Sequence, residues 1–198
     1  MIIKAHEVAS KALKQPVDKN RRTVVIHSQF VRPDQLETFK KYNIEPSFFT
    51  NHAYFWGDVH VENLGKQRAN FLSPIVSADK LGLKYTNHSD ATVTPVDPLF
   101  TVWSAVNRLS RSGKIIGAEQ QASPYQALQA ITSHAAYQLF EEDSKGTLEV
   151  GKAADFVVLD KNPLTVKPMQ IRDIKVVQTI KNGKPIYQIN SKATDATQ

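Results

Sequence analysis

The sequence contains no cysteine, so disulfides and thiolate metal sites are excluded, and cysteine usage leaves the redox compartment undetermined. It has no apolar run near the ~20 residues that cross a bilayer. The opening MIIKAHEVASKALK turns polar after Ile3, which is not the pattern of a secretory signal. These absences lead to the expectation of a cytoplasmic protein with no membrane partner. Internal repeats and low-complexity segments are absent, as are the zinc-binding spacings HxH and HExxH.

Lys and Arg exceed Asp and Glu by 25 to 19, a formal charge of +6. The basic residues are scattered and the densest groups, KNRR and RLSRSGK, are short. A solvated basic surface accounts for them, and no nucleic-acid partner is expected. Hydrophobic residues make up 41% and charged residues 22% of 198, the composition of a globular chain able to bury a core.

Helical spacing of Ala, Val and Leu predicts a helix over 4–14. TVVIHSQF (23–30) is a β-branched run with the pattern of a parallel strand buried on both faces. RPDQLETFKKYN predicts a helix, with Pro33 in its first turn and lysines in its last. IEPSFF (44–49) reads as a strand, and TNHAYFWGDVHVENLGKQR as a long aromatic loop. SPIVSADKLG (73–82) reads as a helix capped by Ser73 and closed by Gly82, leading into the strand LKYTNHSD. DPLFTVWSAVNRLSRSG predicts a helix ending at Gly113, and residues 123–140 another with a Ser-Pro start. The alternation implies parallel strands with covering helices. From about residue 143 the pattern becomes strand-rich, with KNGK as a hairpin turn. The expected units are 1–142, a small β unit over 143–190, and a disordered tail over 191–198.

His27, His52 and Asp90 each fall at or just past a predicted strand end, where α/β architectures gather function. Two imidazoles and a carboxylate suit a divalent metal. An aspartate beside such a metal can also move a proton.

The stretches IHSQ, PSFFTNHAYFWGDVH, LGKQRANFLSP, TNHSDATVTPVDPL, WSAVNRLSRSGKIIG and GTLEVGKAADFVVLDKNPLT run in order between about residues 20 and 188. Together they resemble the C-terminal part of the amidohydrolase superfamily, within the amidohydrolase family 3 group. The resemblance implies an α/β fold: a partial TIM-like barrel, strands five to eight with their helices, plus part of a small β-sandwich. It implies a metal site, with zinc as the metal, that activates water to hydrolyse non-peptide C–N bonds of a small amide, N-acyl or N-formyl substrate. His27 would match the fifth-strand ligand, His52 the sixth-strand ligand, and Asp90 the eighth-strand ligand and general base. A very short seventh strand is expected around Phe71–Leu72. His88 is expected to line the pocket. Trp56, Asp58 and His60 are expected to shape it or to hold His52, and Arg68 and Arg108 are candidates for gripping a substrate carboxylate, although a structural role suits arginine as well. His134 reads as a packing residue, and Asp155 as the organiser of a turn in the β unit.

The family's first-strand HxH pair and fourth-strand ligand have no counterpart here, and His6 stands alone on its helix. Half a barrel leaves strand edges open. The expectation is therefore a homo-oligomer, or a chain completed by a separate N-terminal half. The alternative is a catalytically incomplete remnant.

Overall fold

A computed structural model of the protein describes residues 1–189. The expected tail over 191–198 lies outside the described residues.

Three strands form a parallel sheet: β1 (Thr23–His27), β2 (Ile44–Phe48) and β3 (Thr86–Asn87), paired in that order. Thr23 is in register with Ile44 and His27 with Phe48, while Ser47 faces Thr86 and Phe48 faces Asn87. Hence all three strands end side by side at one edge. β2 is buried along its whole length. β1 was expected to be buried on both faces, yet Ile26 is 59% exposed. The reason is position: β1 is the outer strand and has a neighbour on one side only.

Around this sheet lie α1 (Ile2–Ala12), α2 (Pro33–Tyr42), α3 (Asn51–Asn70), α4 (Ile75–Lys80), α5 (Pro98–Asn107), α6 (Pro124–Ile131) and α7 (Ser133–Gln138). Sequence chemistry sets several boundaries. α2 opens with Pro33 and stops at Asn43, whose φ of 52° is left-handed. Asp97 accepts from the Phe100 amide to start α5. Ser123 and Gln126 bond each other's amides in a capping box at α6. The core joins Leu36 and Phe39 of α2, Ile44 and Phe48 of β2, Ile75, Tyr85, and Val102 and Trp103 of α5.

Several expectations are corrected. Residues 51–70 are a helix, not a loop, kinked where Gly65 takes φ 74°. α4 begins at Ile75 with Ser73 making no cap bond, because Ser73 itself has φ 43°. α5 stops at Asn107, since Arg108 turns left-handed at φ 50°, and Leu109 then bridges Ile115. The helix expected over 123–140 is broken at Thr132. No strand forms at Phe71–Leu72; β2 pairs directly with β3. The sheet has three strands where four were expected.

The C-terminal third holds an antiparallel sheet of β4 (Phe156–Leu159), β5 (Val176–Lys181) and β6 (Lys184–Gln188). Asn182 and Gly183, at φ 50° and 73°, make the tight β5–β6 turn that KNGK predicts. Asp155 accepts from the Asn182 amide at 2.7 Å, so it organises this turn as expected. β6 is exposed along its length.

Candidate metal centre

The common edge where β1, β2 and β3 end carries most of the chain's imidazoles. His27 is the last residue of β1 and adopts φ 66°, a left-handed conformation that turns the chain out of the sheet. His88 follows β3, and its amide donates to Phe48 O at 2.9 Å, continuing the ladder by one residue. Asp90, at φ 48°, lies two residues further on. His27 Nε2 is 3.9 Å from Asp90 Oδ2, and the His27 and His88 rings lie 5.0 Å apart. One ligand atom from each of His27, His88 and Asp90 falls within 4.8 Å of the others. Phe49 packs against His27 and His88 from one side, with ring centres 5.6 and 5.2 Å away.

The donor set fits a cation. His27 Nδ1 and His88 Nε2 are both buried without a hydrogen-bond partner. Ser47 Oγ lies 3.1 Å from His88 Nδ1 and accepts from Thr86 Oγ1 at 2.8 Å. With Nδ1–H donating to Ser47, Nε2 keeps its lone pair. Such an outer partner fixes the tautomer of metal-binding histidines. Burial, then the neighbouring His27, holds the His88 pKa below its usual value, so the ring stays neutral and able to coordinate at pH 7.

His52 is not part of this compact set. It sits in the first turn of α3, its ring 6.5 Å from that of His27, and its Nδ1 faces His60 and Gln29 instead. Burial, reinforced by His60 and His27, pushes its pKa down to about 4. His52, Trp56 and His60 are four residues apart on one helix face, with Trp56 4.4 Å and His60 5.4 Å from the His52 ring. That spacing was visible in the sequence, but it carries no meaning in a segment read as a loop. Gln29 was missed: it follows two left-handed residues, His27 and Ser28, so strand alternation does not place it.

Asp58 lies away from this edge and accepts from Ser112 Oγ at 2.7 Å, holding the turn around Ser110–Lys114 against α3. Arg108 is no substrate grip. Its side chain is fully buried and donates to Leu72 O at 2.6 Å, Ser73 O at 3.3 Å and Ile116 O at 2.6 Å. Burial lowers its pKa to about 10, which leaves it charged at pH 7. Arg68 is exposed beyond the Gly65 kink, beside a cleft that includes Phe30, Arg32 and Phe71. His134 is buried and packs on Tyr85, its Nδ1 3.1 Å from Tyr85 O. His6 bonds Val17 O at 2.7 Å and takes no part in the centre.

A family model described as "Amidohydrolase family" matches residues 2–187. Among curated proteins, the chain is 27% identical over 182 residues to "Putative amidohydrolase YtcJ" of Bacillus subtilis, covering 88% of this chain and 34% of that protein. It is 26% identical over 137 residues to the N-substituted formamide deformylase of Arthrobacter pascens, covering 69% and 25%. Among solved structures, an uncharacterized metal-dependent hydrolase from Pyrococcus horikoshii superposes with a TM-score of 0.67 at 28% identity, covering 83% of this chain and 33% of that one. The chain thus spans about a quarter to a third of the length of the curated relatives it matches.

Proposed function

The chain belongs to the amidohydrolase family, and on that footing we propose that it is the C-terminal portion of a metal-dependent hydrolase that cleaves non-peptide C–N bonds in small amide, N-acyl or N-formyl compounds. One observation carries the reading: His27, His88 and Asp90 converge at the end of a parallel sheet with ligand atoms within 4.8 Å, and both histidines carry an unpartnered buried nitrogen. The deformylase relative supports the bond type through its own name.

In this reading His27 and His88 hold a divalent metal, zinc in the first instance, together with Asp90. When bound, the metal polarises the carbonyl and lowers the pKa of water. Asp90 takes the proton from the attacking water and delivers it to the departing amine. Ser47 keeps His88 in the coordinating tautomer, and Phe49 walls the site on its apolar side.

The test is equilibrium zinc binding to the chain and to His27→Ala and Asp90→Asn, with hydrolysis of simple N-formyl and N-acyl amines followed in parallel. Binding lost in both variants supports the reading; binding unchanged in both overturns it.

A second reading rests on the open β1 edge, where Ile26 is 59% exposed. Under it the chain folds as a homo-oligomer or with a separate N-terminal chain, and is inactive alone.

A further inference from the structure

Asp90 is followed by a run, residues 91–98, in which every residue but Thr94 is exposed. Val93 and Val96 face solvent at 57% and 78%, so apolar packing does not hold this run. Thr94 is 2% exposed. What anchors the run is therefore what Thr94 touches.

The Thr94 hydroxyl donates to Ser89 O, on the residue just before Asp90. Its oxygen accepts from Asn51 Nδ2 at 3.0 Å. The same amide nitrogen reaches Thr101 Oγ1 at 3.4 Å, and the Thr101 hydroxyl donates to Asp97 O at 3.1 Å. One amide thus grips both ends of the 89–97 segment. Asn51 is fully buried in the first turn of α3, next to His52. Thr50 beside it is itself fixed, by Asn87 at 3.1 and 2.8 Å and by Ser104 Oγ at 2.8 Å.

Each proton in this chain has one place. Both threonine hydroxyls are spent on backbone carbonyls, so both oxygens can only accept. Asn51 must turn its NH2 towards them, and its two N–H groups match the two acceptors. The cost falls on the other half of the amide, since Asn51 Oδ1 is buried with no partner. Burying an unpaired carbonyl is unfavourable, and a leucine of similar volume would fill the space without that cost. The asparagine is therefore explained by the two donors it supplies and not by packing.

We infer that Asn51 is a positioning residue for Asp90, acting through Thr94 and Ser89 to hold the 89–97 segment against α3. The other bond at this turn, from the Val93 amide to Asp90 O at 2.6 Å, is internal to the segment and ties it to nothing else. The assignment rests on the hydrolase reading only in taking Asp90 as the acid of the centre, and the clamp itself contains no metal ligand.

The experiment follows two quantities in the full chain: zinc affinity, by competition with a chromophoric chelator, and amide exchange at Val93 without metal. Thr94→Val keeps the side chain's shape and removes both hydroxyl bonds. Asn51→Asp keeps the shape and puts an acceptor where the donor was. Thr94→Ser restores the hydroxyl. Thr94→Val and Asn51→Asp should weaken zinc binding about tenfold or more and speed Val93 exchange, while Thr94→Ser stays close to wild type. Far-UV circular dichroism checks folding; should Asn51→Asp fail, the two Thr94 variants carry the test. Wild-type zinc affinity in both Thr94→Val and Asn51→Asp overturns the inference. So does a Thr94→Ser chain that binds as weakly as Thr94→Val, because packing and not the hydroxyl would then be responsible. If the wild-type chain binds no zinc, the hydrolase reading fails and Val93 exchange decides. Exchange faster in Thr94→Val but not in Thr94→Ser supports the clamp, and exchange unchanged in both overturns it.

Discussion

Ser47 Oγ stands 3.1 Å from His88 Nδ1, joining the middle of the parallel sheet to the ring that turns towards Asp90. If this contact sets the tautomer, its loss costs affinity without touching a ligand. We expect Ser47→Ala to weaken zinc binding at the His27–His88–Asp90 centre by about tenfold. Competition titration reads this directly, and an unchanged dissociation constant would remove Ser47 from the role.

Arg108 donates to three backbone carbonyls, two of them in the 72–73 turn and one at Ile116, and of these Ser73 O also accepts from the Ile75 amide. Hydrogen bonds to charged groups contribute roughly 1.5–3 kcal/mol each, and stranded buried acceptors add to the loss. Arg108→Met is expected to destabilise the fold by at least about 3 kcal/mol, measured by urea unfolding. A loss below about 1 kcal/mol would contradict the assignment.

Glu45 and His134 set opposite pH dependences away from the metal ligands. Burial raises the Glu45 pKa from 4.5 to about 7, against the pull of Arg22 and Lys84. The folded chain keeps that proton longer than the unfolded one. Its contribution is therefore complete below about pH 4.5 and is lost as pH rises through 7. His134 is lowered, chiefly by burial, so its contribution is complete above about pH 6.5 and falls away in acid. Glu45→Gln should raise stability at pH 8 by about 1 kcal/mol and change little at pH 4.5. The urea midpoint across this range checks both signs; a Glu45→Gln gain that is independent of pH would rule out titration as the cause.

Gly117 donates its amide to Asn70 Oδ1 at 3.1 Å, and a Cβ there would sit 1.9 Å from Asn70 O at a φ of 72°. Gly117→Ala should cost at least about 2 kcal/mol in the same assay. Gly113→Ala, also left-handed at φ 82° but with open space around it, should cost less. Equal losses would show that backbone strain alone matters at both positions.

Much of the framework was readable because local chemistry and tertiary packing agree there. Pro33 and Asn43 bracket α2, Ser123 and Gln126 cap α6, and Asn182-Gly183 turns the hairpin. The pairing of His27 with Asp90 was also readable, since both close strands of one parallel sheet. α3 was not. It buries Ala53 and Gly57, the latter against Ile116 and Ser110, while His52, Trp56 and His60 stack along an adjoining face. With both faces occupied it shows no single apolar stripe, and its histidines and aromatics read as loop chemistry. The same misreading hid the helical spacing that stacks His52 on His60. His88 was ranked below His52 because the resemblance offers no histidine there, although its position two residues before Asp90 on an extended segment is itself a signal. Arg108 shows the limit of composition: nothing in RLSRSG distinguishes an arginine that faces a substrate from one that ties three carbonyls.

β3 is two residues long, and beyond its pairing with β2 it is secured by side chains. Asn87 exchanges bonds with the Thr50 backbone and hydroxyl at 3.1 and 2.8 Å, and Thr86 holds Ser47. His88 and Asp90 follow directly from this short splice, so the placement of the acid and its adjoining imidazole depends on these few bonds. Trimming Asn87 to alanine should speed amide exchange at His88 well before it lowers the melting point.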